Sequence, residues 1–197
     1  MASETTALED ALPAAQAGRP EGLRAVYEAL APAVHGYLRA RGAGEPEDLT
    51  SEVFLTVFPR LATVTGGAAG LRTLVFSVAH ARLVDDLRRR SRRGEAVPYE
   101  DWQDDRTTAS TEDQAVERMR TAEVRALLHH LPADQRDVLL LRVVADLSLE
   151  QTAAAIGRSA GAVKQLQRRG LLALRARLRD GSGLDLDLGL DPAAVAP

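Results

Sequence analysis

Basic side chains are concentrated in one short stretch late in the chain, and their residue types could bind a polyanion. Between Leu147 and Arg179, seven bases accompany a single acid, Glu150, so the local charge is +6 in a chain of net charge −3. Guanidinium and ammonium groups neutralise phosphates, and arginine or amide side chains can also read base edges in the major groove. The stretch therefore favours nucleic-acid binding. Its bases are Arg158, Lys164, Arg168, Arg169, Arg175, Arg177 and Arg179.

Two short helices are expected to position these bases. Ser148 and Gln151 have the spacing of a capping box, so a helix should begin at about Leu149, and Gly157 can adopt the positive φ of the turn that ends it. A second helix follows, with an apolar face of Val163, Leu166, Gly170 and Leu174 and with Lys164, Gln165, Arg168, Arg169 and Arg175 on its other sides. This is helix-turn-helix spacing. We expect Gln165 with Lys164 or Arg168 to reach base edges. The alternative is an ordinary bundle helix with solvated charges.

Composition favours an all-α protein. The 197 residues suit one or two compact helical domains, and aromatic residues make up only 4% of the chain. Cysteine is absent, which excludes disulfides and thiolate zinc sites. No apolar run approaches the roughly 18 residues of a membrane span, and the N-terminus lacks the order of a signal peptide. We therefore expect a cytoplasmic protein, and no cofactor or metal site is predicted.

Helical periodicity recurs through the first half of the chain. A weak helix is predicted from about Thr6 to Gln16, interrupted or bent at Pro13, and stronger helices are opened by Pro20 and Pro46. A loop at 63–70 precedes a long helix at 71–90. This helix ends in a second basic run, since residues 80–93 contain six bases and two acids, a local charge of +4.

The second half begins with an acidic stretch. Residues 94–113 contain seven acids and one base and show no helical period, which is typical of a linker. Helices are predicted at 114–130 and 132–145. The last residues, 181–197, are rich in Gly, Asp and Leu and predict a disordered tail, with a partner-docking segment as the alternative.

Three segments of the chain carry a recognisable pattern: EPEDLTSEVFLTVFPRL at 45–61, LRTLVFSVAHARLVDDLRRRSRR at 71–93 and LPADQRDVLLLRVVADLSLEQTAAAIGRSAGAVKQLQRRGLLALR at 131–175. Together they resemble the extracytoplasmic-function group of sigma-70-type sigma factors of bacterial RNA polymerase. The resemblance implies two small helical domains, sigma-2-like at 18–93 and sigma-4-like at 114–180. An N-terminal segment at 1–17, the flexible linker at 94–113 and the tail at 181–197 complete the chain.

The resemblance also implies partners and site residues. The partners are core RNA polymerase, through its β′ clamp helices and β flap, and promoter DNA; many members also have an anti-sigma factor. The residues implied to bind the minus-35 element are Arg158, Ser159, Gly161, Lys164, Gln165, Arg168, Arg169 and Arg175. Those implied to bind the minus-10 element are Thr65, Arg72, Thr73, His80, Arg82, Arg88, Arg89 and Arg90. Those implied to bind core polymerase are Asp48, Leu49, Glu52, Val53, Leu55 and Thr56.

Three departures from the family pattern bear on these residues. Leu74 stands where a tryptophan is common and Ala81 where an asparagine is common, so base capture is expected to use other residues. In the second helix of the helix-turn-helix, Leu166 and Gln167 stand where many members have an arginine followed by an apolar residue. We expect a small rotation of this helix in its groove.

Two other classes of function are alternatives to a sigma factor. A stand-alone helix-turn-helix regulator would need a self-complementary dimer interface and a palindromic site. An enzyme is disfavoured because the four histidines are scattered and no nucleophile or metal-ligand spacing accompanies them. The GGAAG run at 66–70 also lacks the Lys-Ser/Thr of a phosphate-binding loop.

Overall fold

The structure, a computed structural model, describes residues 2–94 and 126–181, and every regular element within these ranges is helical. The all-α prediction is confirmed. In chain order the elements are α1 (Ala2–Gln16), α2 (Pro20–Ala40), α3 (Pro46–Val57), a 3₁₀ helix (Phe58–Thr63), α4 (Gly67–Arg92), α5 (Ala133–Val143), α6 (Leu149–Ile156) and α7 (Ala160–Gly181). Among the described helices, none combines the length and apolarity needed to cross a membrane.

Some predicted segments lie outside the described residues. Positions 95–125 contain nearly all of the predicted acidic linker and most of the helix predicted at 114–130. Of that helix only residues 126–130 are described, with 126–129 helical. Positions 182–197 contain the predicted tail. These predictions stay predictions.

The chain divides into two compact units whose limits differ from those of the implied domains. One unit consists of Met1–Val97 and Leu140–Val163, and the other of Pro98–Leu139 and Lys164–Pro197. Residues implied to form one sigma-4-like domain therefore contribute to both units, and α6 packs on α4 within the first. The domain limits given by the resemblance remain a prediction.

The core of the first unit is formed mainly by α2, α3 and α4. Tyr37, Phe54 and Phe76 are fully or almost fully buried, and the rings of Tyr37 and Phe76 meet edge to face with centroids 6.2 Å apart. The predicted starts of α2 and α3 are confirmed, because Pro20 and Pro46 occupy the first turn, where proline loses no helical hydrogen bond.

The N-terminal helix α1 is longer than predicted and belongs to the same unit. It continues through Pro13, and its buried side chains Leu8, Leu12 and Ala15 pack against α2. The two helices cross so closely that a Cβ atom on Gly22 would lie 2.3 Å from the backbone nitrogen of Ala15. Burial of this apolar face outweighs the one helical hydrogen bond that proline removes. Helix α1 therefore packs in the same unit as the helices that follow.

Helix α4 begins four residues earlier than predicted. The predicted loop at 63–70 is reduced to residues 64–66, because Gly66 and Gly67 both take positive φ angles, of 83° and 62°, and the helix starts directly behind them. Glycine adopts this conformation without a steric penalty.

The second unit has a small leucine core. Leu131, Leu139 and Leu171 are buried together, and Leu128, Ala173 and Leu174 pack against them half-buried. Leu174, which was predicted on the apolar face of the last helix, is found there, whereas Leu171 was missed.

Candidate nucleic-acid interface

The start of α6 is fixed by a reciprocal cap. The backbone N–H of Gln151 donates to the hydroxyl of Ser148 at 3.1 Å, and the backbone N–H of Ser148 donates to the Gln151 side-chain oxygen at 2.6 Å. This is the predicted capping box. Glu150 lies in the same first turn, where a hydrogen bond from its own backbone N–H, and then one from the Ser148 hydroxyl, lower its pKa below the ordinary value.

The turn after α6 is formed by a left-handed glycine, as predicted. Gly157 has φ 65° and ψ 38°, and the next N–H, that of Arg158, donates back to the carbonyl of Ala153 at 2.9 Å. Ser159 then caps the following helix, because its hydroxyl accepts from the N–H of Ala162 at 3.2 Å. The hydroxyl proton of Ser159 is not used in this cap, so the side chain can still donate to a phosphate.

Helix α7 has an apolar side and a basic side. Val163 and Gly170 are buried as predicted, whereas Leu166 and Leu174 are half-buried. Lys164, Gln165 and Arg169 are exposed, which leaves these predicted DNA-contact side chains accessible.

Arg168 and Arg175 differ from their neighbours on α7. Both are half-buried, and the Nε atom of Arg168 is fully buried without a hydrogen-bond partner among the described residues. A buried N–H that makes no hydrogen bond carries a desolvation cost. Arg168 is therefore less accessible to a base edge than Gln165 or Lys164.

The C-terminal end of α4 carries exposed arginines. The side chains of Arg88 and Arg89 are 72% and 53% exposed, and each faces an aspartate one turn earlier, Asp85 at 4.0 Å and Asp86 at 3.7 Å. Arg88 and Asp85 are both exposed, so their ion pair contributes little and is easily exchanged, whereas the side chain of Asp86 is only 14% exposed. Arg90 is more constrained, since it donates to the carbonyl of Gly42 at 2.7 Å.

The N-terminal half of α4 is different, because its arginine lies inside the protein. Arg72 is only 7% exposed, and its guanidinium donates to the carbonyl of Ala145 at 3.2 Å. Close by, the side-chain amide of Gln151 donates to the carbonyl of Ala69 at 2.9 Å. In this arrangement Arg72 stabilises the packing of α4 and is not accessible to DNA.

Three further residues predicted on the minus-10 face also have partners within the protein. His80 Nδ1 lies 2.9 Å from the hydroxyl of Tyr37, and Arg82 donates to the hydroxyl of Thr56 at 3.1 Å. Thr73 donates to the carbonyl of Ala69 in its own helix. Thr65, in the short loop before α4, is exposed.

Helix α3 presents a mixed acidic and apolar surface, but two of its predicted contact residues are buried. Leu49 and Val53 are 4% and 0% exposed, so both belong to the core of the unit. They occupy the inner side of the helix, as their spacing with Val57 requires. Leu55 is 72% exposed, and Asp48 and Glu52 are also exposed.

A cleft of about 490 Å³ separates the start of α3 from the end of α4. The chain around α3 contributes three carboxylates to its lining, whereas the end of α4 contributes one carboxylate and the guanidinium groups. The lining includes Glu45, Asp48, Glu52, Asp86, Arg89, Arg90 and Arg93. At the same end of α3, Glu47 accepts from His35 at 3.1 Å. A hydrogen bond from its own backbone N–H, with a smaller effect of His35, lowers the pKa of Glu47.

Known proteins are similar to this chain in sequence and in fold. The family Sigma-70, region 4 matches residues 127–176. A protein of Mycobacterium tuberculosis strain H37Rv named ECF RNA polymerase sigma factor SigD is 36% identical over 171 residues, which cover 82% of this chain and 79% of that protein. The chain belongs to the ECF sigma factors of RNA polymerase. The resemblance noted in the sequence is confirmed.

Two further likenesses agree with this membership. The ECF RNA polymerase sigma factor BldN of Streptomyces coelicolor is 27% identical over 180 residues, covering 90% of this sigma factor and 68% of BldN. The solved structure of CnrH in complex with the cytosolic domain of CnrY is similar in fold, with a TM-score of 0.65 at 19% identity over 89% of this chain and 99% of that chain. As a sigma factor, the protein directs RNA polymerase to promoters and acts in transcription initiation.

Sequence reasoning missed two residues of this sigma factor that hold the loop before α4. Glu9 accepts from the N–H of Ala68 at 2.8 Å, and Gln16 donates to the carbonyl of Val64 at 2.8 Å. The spacing of Leu8, Leu12 and Ala15 was a detectable sign of a packed helix, but contacts over 48 and 59 positions leave no local signal. Within residues 2–94 and 126–181, no cluster of three or more His, Asp or Glu side chains could hold a metal ion.

Proposed function

We propose that this sigma factor recognises a two-part promoter through two separate basic surfaces and binds core polymerase through α3. The observation that carries the proposal is the pattern of exposure. Lys164, Gln165 and Arg169 on α7 are accessible, as are Arg88 and Arg89 at the end of α4. By contrast, Arg72 in the first half of α4 and Arg41 directly after α2 are buried.

The proposed minus-35 contact is made by α7 in the major groove. Gln165 can form paired hydrogen bonds with an adenine edge, whereas Lys164 and Arg169 supply charge to phosphates. Arg158, Ser159 and Gly161 lie at or just before the N-terminus of the helix, where all three are exposed. Backbone N–H groups at such an N-terminus also favour a phosphate.

The proposed minus-10 contact is made by the loop before α4 and by the C-terminal end of α4. The exposed Thr65 stands in the loop, beside glycines that let the backbone approach a base. An unpaired base costs less to capture than one in a closed duplex, so this contact suits a strand that is already opening. Arg88 and Arg89 would then follow the phosphates of the adjoining DNA.

The proposed core-polymerase contact uses Asp48, Glu52 and Leu55, together with the partly exposed Thr56. An exposed leucine between acids offers apolar area with a charged rim, which is the usual anatomy of a protein interface. Leu49 and Val53 are left out because they are buried.

Run-off transcription with purified core polymerase tests the proposal as a whole. We expect a transcript that starts at a defined site only when the sigma factor is present, together with a stable complex between the two proteins. Absence of both would refute it. Tight binding of duplex DNA by the free protein as a symmetric dimer would favour a stand-alone regulator instead.

The variant Arg168→Ala tests base reading on α7. If Arg168 reads a base, its loss should cost about 1–3 kcal/mol at one minus-35 position and relax the preference there. The half-buried side chain leads us to expect the other result, a nearly uniform loss on every minus-35 sequence. Gln165→Ala, measured by holoenzyme binding to the same sequence set, should relax one position.

Charge reversal tests the α3 surface. The double variant Asp48→Lys, Glu52→Lys should weaken core binding in a titration with labelled polymerase while leaving the helical circular dichroism unchanged. Glu21→Lys reverses the charge of an exposed residue on α2 and serves as the matched control. Equal affinity of all three proteins for core would exclude this surface.

We also propose that the protein works in the cytoplasm, where the polymerase is, and has no catalytic activity of its own. Core polymerase supplies the chemistry, and the sigma factor supplies binding free energy. An anti-sigma factor, known for many members of the family, stays a prediction for this chain.

A further inference from the structure

The N-terminus of α4 is capped by a residue from another helix. The residue before the helix is Gly66, which has no side chain to accept from the first N–H groups. The N–H of Ala68 instead donates to a carboxylate oxygen of Glu9, 59 positions earlier in the chain, at 2.8 Å. A carboxylate at this place also interacts favourably with the positive end of the 26-residue helix.

The fit around this carboxylate is close. A Cβ atom on Gly67 would lie 2.6 Å and 2.8 Å from the two carboxylate oxygens of Glu9, and Gly67 has φ 62°. No side chain could be added at position 67 without displacing Glu9. The carboxylate of Glu9 therefore occupies the space that a side chain at position 67 would need.

A second hydrogen bond from α1 holds the other end of the loop. The side-chain amide of Gln16 donates to the carbonyl of Val64 at 2.8 Å. Gln16 and Glu9 lie two turns apart on α1, and the loop residues 64–67 are held between them. Because Leu8, Leu12 and Ala15 bury the same helix against its neighbours, the two side chains project from a rigid support.

The loop itself is folded back on α4. A Cβ atom on Gly70 would lie 1.8 Å from the carbonyl oxygen of Thr65, so the backbone at position 65 rests directly on the first turn of the helix. The side chain of Thr65 remains exposed. Thr65 therefore faces solvent from a loop whose backbone is fixed by Glu9, by Gln16 and by its close contact with Gly70.

We infer that Glu9 and Gln16 are positioning residues that hold the Val64–Gly66 loop, together with the first residue of α4, in the shape that captures a minus-10 base. The inference rests on the proposed function, in which this loop binds the opened strand. A loop that is already ordered does not lose further conformational freedom when the base enters, so binding becomes tighter and more selective. Neither side chain needs to touch DNA.

The test uses holoenzyme assembled from core polymerase and full-length sigma factor. Promoters are first selected with the wild-type protein, and one is converted into a forked DNA whose minus-10 non-template bases are unpaired. The readout is the ratio of affinities for the selected base and for each substituted base. The variants are Glu9→Ala, Glu9→Gln and Gln16→Ala, and Asp10→Ala is the control because it removes an exposed carboxylate from the next position of α1.

We expect Glu9→Ala and Gln16→Ala each to lower the discrimination ratio roughly three- to ten-fold, the effect of losing one hydrogen bond. Glu9→Gln keeps an acceptor oxygen and should fall between wild type and Glu9→Ala, while Asp10→Ala should match wild type. Core binding and binding of a closed minus-35 duplex should not change in any variant.

Two outcomes would overturn the inference. Discrimination could be unaffected in Glu9→Ala and Gln16→Ala, or it could fall only in proportion to a loss of core binding and thermal stability. A different failure, in which wild-type holoenzyme itself shows no preference among minus-10 bases, would remove the proposed function of the loop and with it the role of Glu9.

Discussion

The two ends of α4 carry the same residue type in opposite environments. Near the N-terminus, Arg72 is 7% exposed and bonded to the carbonyl of Ala145. Five turns later, Arg88 and Arg89 stand in solvent with only loose partners 3.7–4.0 Å away. One arginine stabilises packing, and the others remain available for an external anion.

The difference is a matter of desolvation. A buried guanidinium has already exchanged its water for a protein carbonyl, and breaking that bond would leave both groups unsatisfied. When an exposed arginine binds a phosphate, only its hydration and a weak ion pair are lost. Binding also releases counterions from the DNA, and their entropy favours the contact. Counting charge along the sequence therefore overestimates a DNA surface wherever part of the charge is buried.

The largest expected effect comes from the exposed end. The double variant Arg88→Ala, Arg89→Ala should weaken holoenzyme binding to promoter DNA by roughly a hundredfold at about 0.2 M salt. The plot of log affinity against log salt should become less steep by about 1.4–1.8, the contribution of two phosphates. Binding is measured by fluorescence anisotropy across a salt series.

The matched control for this variant is Arg24→Ala. Arg24 is an exposed arginine on α2 with a glutamate partner, Glu28, at 2.7 Å, so the variant removes a similar surface charge far along the chain from α4. Its salt slope should equal that of wild type. An unchanged slope in the double variant as well would mean that the end of α4 does not meet phosphates.

Substitution of the buried arginine of α4 should lower the stability of the protein rather than its affinity for DNA. Arg72→Ala leaves the carbonyl of Ala145 without its donor and opens space beside α4, so we expect the free energy of unfolding in urea to fall by about 2 kcal/mol. Arg88→Ala should leave it nearly unchanged. A stable Arg72→Ala protein with a reduced salt slope would reverse the comparison and place Arg72 on the DNA.

Much of the fold could be predicted because its signals are local. Proline at the first turns of α2 and α3, the capping box at Ser148 and the turn glycine Gly157 each act within a few residues. The start of α4 could not be predicted in this way, because its cap is Glu9, far away in sequence. Pro13 also gave a misleading local signal, since tertiary packing sustains α1 through it.

The candidate site could be predicted in part, for the same reason. The charge pattern located the helices that carry accessible bases, including Lys164 and Arg88. The charge pattern did not distinguish these accessible bases from the buried Arg72. In the same way, the helical period did not distinguish the exposed Leu55 from the buried Leu49, because burial depends on which helix packs opposite. A helix period states which residues share a face and leaves open whether a second helix covers it.

The smallest effect is expected where α6 meets α4, beside Arg72. Gln151→Glu keeps the oxygen that accepts from Ser148 but replaces the amide that donates to Ala69, so the cap survives and the contact with α4 is lost. The free energy of unfolding should fall by about 0.5–1 kcal/mol. Gln151→Ala removes both bonds and should cost more, whereas Gln165→Glu, on exposed α7, should be neutral. If Gln151→Glu were as stable as wild type, the packing of α6 on α4 would rest on Arg72 and apolar contacts alone.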